Sequence, residues 1–250
     1  MRPQLLVVQC GTVPYEEAAV AQRRLRGARL AGEVPDLLLL LEHPPVYTRG
    51  RRSTAEELPM GAEWYEAQGI AVRDTDRGGR VTYHGPGQLV AYPIVSLKAY
   101  GDDVHGYVRA LERVAISALA EHGIAAGTIE GLTGVWTEGE PPGAAAEPGA
   151  EARKIGSIGL HVSRGVTTHG IAVNVNNDLQ PFEWVVPCGI DNCRVTSLGR
   201  ELGGEQDIAA FAATVTRRYG EVLDREPVAG EVAALGLDNL SALPRPSAPG

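Results

Sequence analysis

The chain has 250 residues, of which 44% are hydrophobic and 22% charged, as expected of a globular protein with a substantial core. Its formal net charge of −8 argues against a general nucleic-acid-binding protein, because such proteins present a basic surface to phosphates. No apolar run approaches the ~20 residues of a membrane-spanning helix, and the apolar stretch near the N-terminus is too short for a signal peptide.

Two apolar runs near the N-terminus predict buried strands, at residues 5–9 and 37–42. The stretch between them, residues 15–31, is rich in alanine and arginine, and both residue types favour helix. Further short strands are predicted at residues 69–73, 89–96 and 133–137.

Two later helices are predicted from their capping residues. Asp102 or Asp103 can cap the first of them, which Gly123 is placed to end. Asp207 can cap the second, which would run to about residue 224.

Residues 154–162 and 166–175 predict a β-hairpin, because two strand-like segments flank a tight turn at residues 163–165. Together with the other elements, the hairpin indicates a mixed α/β fold with a largely antiparallel sheet and flanking helices.

The domain organisation follows from two segments of different composition. Residues 138–152 contain prolines and glycines without any period and predict a mobile loop. Residues 226–250 are rich in Pro and Ala and are expected to form a tail with little structure. We therefore expect a single domain over residues 1–225.

The segment DRGGRVTYHGPGQ, residues 76–88, combines four glycines and a proline with several hydrogen-bonding side chains. Glycine lets a backbone bend sharply and approach a ligand closely. The segment lacks the lysine of a P-loop and the glycine spacing of a dinucleotide fingerprint. An ordinary glycine-rich turn and a ligand-binding loop both fit it.

Cys188 follows a predicted strand and precedes a glycine. The chain has three cysteines, and this small, odd number does not fit a disulfide framework. We therefore expect the protein to reside in the reducing cytoplasm. A lone cysteine can be a small buried hydrophobe or a reactive thiolate, and the latter needs a positive charge nearby. Lys154, His84, His161 and His169 are the candidates, and the sequence does not choose among them.

Zinc binding is an alternative use of the same residues. Cys188 and Cys193 are separated by four residues, at the edge of metal-ligand spacing, but the seven residues between His161 and His169 do not fit a zinc finger. We therefore expect no metal.

Taken in order, the motifs of the chain resemble those of the lipoate-protein ligase B family. The matching segments are LEHPPVYT from residue 41, RGGRVTYHGPGQ from 77, GVW from 134, RKIGSIG from 153, HGIAVNV from 169, PCGI from 187 and VTSL from 195. The family transfers octanoyl groups in protein lipoylation, and its fold is similar to that of biotin and lipoate ligases. The resemblance thus implies that residues 1–225 are an octanoyltransferase catalytic domain.

Carried over by position, the resemblance implies that Cys188 is the nucleophile that becomes an acyl thioester and that Lys154 lowers the pKa of this thiol. In its neutral form Lys154 is also our candidate for the base that deprotonates the acceptor. The implied substrate-binding residues are Arg77, Gly78, Gly79, Arg80, Val81, Thr82, Tyr83 and His84, then Ser157, Ile158 and Gly159, and finally Gly170, Ile171 and Ala172.

The resemblance also implies the partners. The donor would be octanoyl-acyl carrier protein, and the acceptors lipoyl domains of 2-oxoacid dehydrogenase E2 subunits and the glycine cleavage H protein. Neither ATP, metal nor another cofactor is implied, and we expect a cytoplasmic monomer that binds no nucleic acid or membrane. Arginines at residues 23–29 and 49–52 form either a solvated face or a docking surface for the acidic carrier.

Three other functions remain open. An ATP-dependent lipoate or biotin ligase of the same fold would form an acyl-adenylate and need no cysteine. A cysteine hydrolase would use His84 or His169 as its base and release free acid. A non-catalytic module would bind acyl chains or carrier protein without any covalent adduct.

Overall fold

The computed structural model describes residues 2–142, 150–186 and 193–235. Its strands are β1 (Gln4–Thr12), β2 (Asp36–Glu42), β3 (Val46–Arg49), β4 (Ala71–Asp74), β5 (Thr82–His84), β6 (Gln88–Ile94), β7 (Ala126–Ile129), β8 (Leu132–Thr137), β9 (Lys154–Ser163), β10 (Val166–Asn174) and β11 (Glu226–Gly230). Its α-helices are α1 (Tyr15–Ala31), α2 (Ala62–Ala67), α3 (Val104–Glu121), α4 (Gln180–Glu183), α5 (Leu198–Leu202) and α6 (Ile208–Val222).

Within these ranges the strands form a large sheet and a small one. The large sheet has the order β11-β1-β2-β6-β10-β9-β8-β7, and the small sheet has the order β4-β3-β5. Every pairing from β2 to β7 along the large sheet is antiparallel, while β1 is parallel to both of its neighbours. The predicted mixed α/β fold with a largely antiparallel sheet is confirmed.

Helices cover both faces of the large sheet, which explains the run of five leucines in β2. Leu38 and Leu40 pack in the core cluster under α3 and α6, whereas Leu37, Leu39 and Leu41 pack in the cluster under α1. Successive side chains of a strand point to opposite faces, so a strand in the middle layer is apolar at every position. Among the helices of the described ranges, none has both the length and the apolar composition of a membrane span.

Several elements lie where helix propensity, capping residues and turn residues predicted them. Helix α1 has the predicted bounds, and the Asp103 side chain caps α3 by accepting a hydrogen bond from the Gly106 N–H at 2.9 Å. The hairpin of β9 and β10 turns through Arg164 and Gly165, both at positive φ, as a two-residue turn of type I′ requires. Asp207 caps α6 as predicted.

The C-terminal boundary differs from the prediction. Residues 226–230, assigned above to the tail, form β11, which pairs with β1 from Gln4–Glu226 to Val8–Gly230. The segment includes Pro227, which is tolerated in an edge strand because its missing N–H faces no neighbour there. Composition alone therefore gave the wrong structure for these five residues.

The predicted loop at residues 138–152 is hydrogen-bonded where its two ends are described. The Glu140 N–H donates to the Ala150 carbonyl at 2.8 Å, and the Ala152 N–H donates to the Glu140 carbonyl at 2.8 Å. Residues 143–149 lie outside the described ranges, so the predicted mobility of the loop stays a prediction.

Candidate functional site

A cavity of about 530 Å³ is lined by residues of β9 and β10. Strand β8 pairs with β9 only at Val135–Gly156 and Trp136–Lys154, and beyond these pairs the two strands line separate walls of the cavity. The N-terminal half of α3 and the segment before β5 contribute the other walls. The space therefore exists because the sheet ladder stops after two pairs.

The three segments predicted to bind substrate meet around this cavity. The lining residues among them are Arg77, Gly78, Gly79, Arg80, Thr82, His84, Ser157, Ile158, Gly159, Gly170, Ile171 and Ala172. Val81 and Tyr83 are the exceptions, since both lie in an apolar cluster with Tyr47, Tyr65 and Phe182. Because side chains alternate along β5, Thr82 and His84 face the cavity while their neighbours face away from it.

Arg77 fixes the glycine-rich segment to the rest of the wall. Its buried guanidinium Nη2 donates to the Thr48 carbonyl at 2.6 Å and to the Thr48 Oγ1 at 2.8 Å. The Gly78 N–H donates to the Leu160 carbonyl at 2.8 Å. A Cβ on Gly159 would lie 2.9 Å from the Gly78 carbonyl oxygen, so glycine is needed where this segment crosses β9.

The cavity is positively charged, although the chain as a whole is acidic. Of the described residues that line it, Arg52, Arg77, Arg80, Arg109 and Lys154 carry positive charge, and none is an aspartate or glutamate. Acidic side chains stand behind two of these arginines instead. Glu57 accepts from Arg80 at 2.6 Å, and Glu112 accepts from Arg109 at 2.6 Å.

Two neighbouring buried histidines, of which His84 lines the cavity, are neutral. Burial lowers the pKa of His43 to about 4 and the pKa of His84 well below its ordinary value. The His43 Nδ1 lies 2.6 Å from the Val13 carbonyl, which can only accept, so Nδ1 carries the proton and Nε2 accepts from the Tyr92 hydroxyl at 2.8 Å. These groups supply hydrogen bonds to the cavity wall rather than charge.

His169 also lines the cavity, in a strained backbone conformation with φ of 58°. Its N–H donates to the Gln22 side-chain carbonyl at 2.6 Å, and its ring Nε2 lies 2.6 Å from Asp76 Oδ1. This hydrogen bond lowers the pKa of Asp76 to about 2, while burial lowers the pKa of His169 despite the neighbouring carboxylate. His161 is 3.7 Å from the same Asp76 carboxylate.

Lys154, at the start of β9, lies on the cavity wall with only 4% of its surface exposed. Its Nζ is 5.4 Å from the centre of the Trp136 ring, within the range of a cation–π contact. Its backbone N–H donates to the Arg194 carbonyl at 2.8 Å, and the Thr196 N–H donates to its carbonyl at 2.9 Å. Residues 194–196 therefore run directly beside Lys154.

Cys188 lies outside the described residues, as do residues 187–192 around it. On one side, the Val186 N–H donates to the Glu57 carbonyl at 3.1 Å, close to Arg80; on the other, Arg194 is bonded to Lys154. The predicted proximity of the Cys188 thiol to the Lys154 amine stays a prediction. Within the described ranges no three His, Cys, Asp or Glu side chains come together as a metal site.

Sequence reasoning missed Glu112, which is buried on α3 and accepts hydrogen bonds from the Gly134 N–H of β8 and from Arg109. A signal was present, because Glu112 interrupts the otherwise apolar buried positions Leu111, Val114 and Ala115 of the same helix. A charged residue at such a position requires partners within the fold.

Comparisons with known proteins agree with the motifs. The family model described as "Lipoyl protein ligase A/B catalytic domain" matches residues 14–220. The octanoyltransferase of Roseiflexus sp. (strain RS-1) is 43% identical over 245 residues, covering 96% of this chain and 96% of the relative. The octanoyltransferase of Mycobacterium tuberculosis (strain ATCC 25618 / H37Rv) is 47% identical over 218 residues, covering 87% of this chain and 86% of the relative.

Solved structures share the fold at low sequence identity. A chain from the archaeal lipoylation system of Thermoplasma acidophilum, a bipartite lipoate protein ligase with its E2 lipoyl domain, superposes with a TM-score of 0.70 and 17% identity, covering 96% of this chain and 93% of that one. Lipoate-protein ligase A bound with ATP superposes with a TM-score of 0.64 and 16% identity, covering 97% and 95%. By its motifs, its fold and its relatives, the chain belongs to the lipoyl protein ligase A/B catalytic-domain family, and within it to the lipoate-protein ligase B family.

Proposed function

We propose that this protein is an octanoyltransferase of protein lipoylation, which carries an octanoyl group on Cys188 between acyl carrier protein and a lysine of a lipoyl domain. Octanoyltransferases that are 43–47% identical over most of the chain support this reaction. The observation that carries the proposal is the position of Lys154, buried in the wall of the cavity and hydrogen-bonded to residues that follow Cys188 closely in the chain.

The transfer has two half-reactions. In the first, the Cys188 thiolate attacks the octanoyl thioester carbonyl, a new carbon–sulfur bond forms, and the carrier thiol leaves with its electron pair and takes up a proton. In the second, the acceptor lysine amine attacks the Cys188 thioester, an amide forms and the Cys188 thiol leaves. Because one thioester replaces another, the first half-reaction requires no ATP, metal or other cofactor.

Lys154 would act on both half-reactions. As an ammonium in a wall that excludes most water, it favours the thiolate form of Cys188 by Coulomb attraction. As a neutral amine it is our candidate for the base that takes the proton from the acceptor lysine. Lys154→Arg keeps the charge and removes the base, so we expect this variant to form the thioester but to transfer it slowly. Full transfer by Lys154→Arg would exclude the base role.

The cavity has an apolar side suited to an acyl tail. Val104, Val108, Leu132, Ile158 and Ile171 line it. Each methylene buried there contributes ~0.8 kcal/mol, which favours a medium chain over a short one.

The charge of the cavity suits an acidic donor protein. Arg52 lines the cavity and is exposed, and its backbone N–H is fixed by the Gly79 carbonyl at 3.0 Å. We expect Arg52→Glu to raise the KM for octanoyl-carrier protein at low salt, because it opposes an acidic partner. Arg113→Glu, exposed on α3 and neither part of the cavity nor of the two arginine clusters, serves as the control. An unchanged donor KM in Arg52→Glu would place the carrier elsewhere.

The proposed acceptors are lipoyl domains of 2-oxoacid dehydrogenase E2 subunits and the glycine cleavage H protein, with the enzyme acting as a cytoplasmic monomer. Intact-mass analysis after mixing with octanoyl-carrier protein, without ATP, tests the central step. We expect one octanoyl adduct on the wild type and none on Cys188→Ser. An adduct on both or on neither would refute the proposal, and free octanoate in place of octanoylated acceptor would favour a hydrolase using His169 and Asp76.

A further inference from the structure

The Lys154 side chain is pressed against the backbone of β8 at Gly134. A Cβ on Gly134 would lie 2.8 Å from Lys154 Cε and 2.8 Å from the Gly156 carbonyl oxygen, and Gly134 has a φ of 132°, which other residues rarely adopt. The position of β8 at this residue therefore sets where the Lys154 stem can run. A shift of Gly134 toward or away from Lys154 would move the amine along the cavity wall.

Gly134 lies at an irregular place in the sheet. The register of β8 with β7 shifts between Leu132 and Trp136, and its register with β9 shifts between Val135 and Trp136. Gly134 lies between the registered pairs of both ladders, where the spacing of strand partners is irregular. Its N–H is satisfied by an acceptor from outside the sheet.

Glu112 of α3 supplies that acceptor. Its Oε1 accepts a hydrogen bond from the Gly134 N–H at 3.1 Å, and its Oε2 accepts from Arg109 at 2.6 Å. Only 1% of the residue is exposed, so this carboxylate has given up its hydration for these two contacts. Burying a carboxylate on an otherwise apolar helix face costs folding free energy. We therefore expect these two contacts to have a role in the structure.

We propose that Glu112 is a positioning residue for Lys154, which it acts on through the Gly134 backbone. One carboxylate oxygen accepts from the Gly134 N–H in place of a strand carbonyl, and Gly134 in turn supports the Lys154 stem. Since the inference assigns Glu112 a role only through Lys154, it rests on the proposed function of the Lys154 amine. It does not require Glu112 to touch substrate.

Three variants separate the elements of this arrangement. Glu112→Ala removes the acceptor for Gly134, Gly134→Ala introduces the colliding Cβ, and Glu112→Gln removes the charge but keeps an oxygen that can accept from the Gly134 N–H. Glu121→Ala is the matched control, because Glu121 lies on the same helix and also pairs with an arginine, at 2.8 Å from Arg218, but is exposed. Thermal unfolding of each variant checks that it is folded.

The readout is the pH profile of Cys188 alkylation by iodoacetamide, followed by peptide mass mapping so that other thiols do not contribute. Burial raises the pKa of Cys10 to about 12, which keeps that thiol unreactive. We expect Glu112→Ala and Gly134→Ala to move the profile up by about one pH unit, giving about tenfold slower alkylation at neutral pH. Glu112→Gln is expected to stay within about threefold of the wild type, with kcat preserved even if loss of the Arg109 contact raises the donor KM.

Lys154→Ala, measured alongside, separates the two hypotheses. If Lys154→Ala moves the alkylation profile while Glu112→Ala matches Glu121→Ala, the role of Glu112 is refuted and the proposed function stands. If Lys154→Ala leaves the profile unchanged, the proposed action of Lys154 on Cys188 fails first. If Glu112→Gln is as defective as Glu112→Ala, charge rather than the hydrogen bond to Gly134 is responsible, and the positioning mechanism is overturned.

Discussion

Gly170 leaves no room for a side chain between β10 and β6, and replacing it by alanine tests the geometry of the cavity wall. A Cβ on Gly170 would lie 2.5 Å from Pro93 Cδ and closer still to the Ala91 carbonyl oxygen. Neither neighbour is the flexible end of a side chain. Gly170→Ala can therefore be accommodated only if the two strands separate, next to the pair formed by Ile171 and Ala91.

The expected cost of this separation is that of an overpacked core. Such substitutions destabilise by roughly 1–3 kcal/mol, and we expect about 2 kcal/mol for Gly170→Ala. For a chain of this size, that corresponds to a decrease in melting temperature of about 4–8 °C. Since Gly170 also lines the cavity, acyl transfer should fall with the displaced wall.

Gly27→Ala is a matched control of opposite sign. Gly27 lies inside α1, where an added Cβ would meet nothing within 4 Å. We expect this variant to be more stable by about 0.5–1 kcal/mol, because alanine is the better helix former. Urea denaturation with linear extrapolation measures both variants. If Gly170→Ala is as stable as the wild type, the close approach of β10 to β6 is wrong.

Two further predictions concern buried polar groups. Because burial lowers the pKa of His43 to about 4, the unfolded chain binds a proton near pH 6.5 that the folded protein does not, and the unfolding free energy should fall by about 3 kcal/mol between pH 6.5 and pH 4. An NMR titration of His43 with a midpoint near 6.5 would contradict this. Glu57→Ala should cost about 1–3 kcal/mol, since it leaves the buried Val81 N–H and Arg80 without their acceptor, whereas Glu56→Ala on the same turn should change stability by less than about 0.5 kcal/mol in urea unfolding.

The elements that the sequence predicted well are those whose signal is local. Helix α1 and the turn between β9 and β10 depend on helix propensity and turn geometry within a few residues. The strand β11 was missed because its segment neither alternates nor is buried, and it becomes a strand only by pairing with β1, far away in the chain. That pairing is tertiary information that no short window contains.

In the candidate site, too, some features were predictable from the sequence and others depend on the tertiary structure. The family motifs predicted which segments would meet, and the structure brings them to one cavity. They did not separate Val81 and Tyr83 from their neighbours, because a motif marks a stretch of chain while alternation along a strand decides which side chains face the cavity. Glu112 was missed for a different reason, since its role depends on the distance between α3 and a backbone N–H of β8.

Because β11 pairs with β1, the large sheet cannot be completed until almost the whole chain has been translated. Roughly 200 residues separate the two strands, so at ~5–20 residues per second a ribosome needs on the order of 10–40 s to deliver the neighbour that β1 lacks. Throughout that interval the apolar β1 has an open flank, which is the kind of template on which growing chains stick to one another. The nascent protein thus exposes this edge until β11 emerges, and a chaperone that shields the first dozen residues over that interval would protect it.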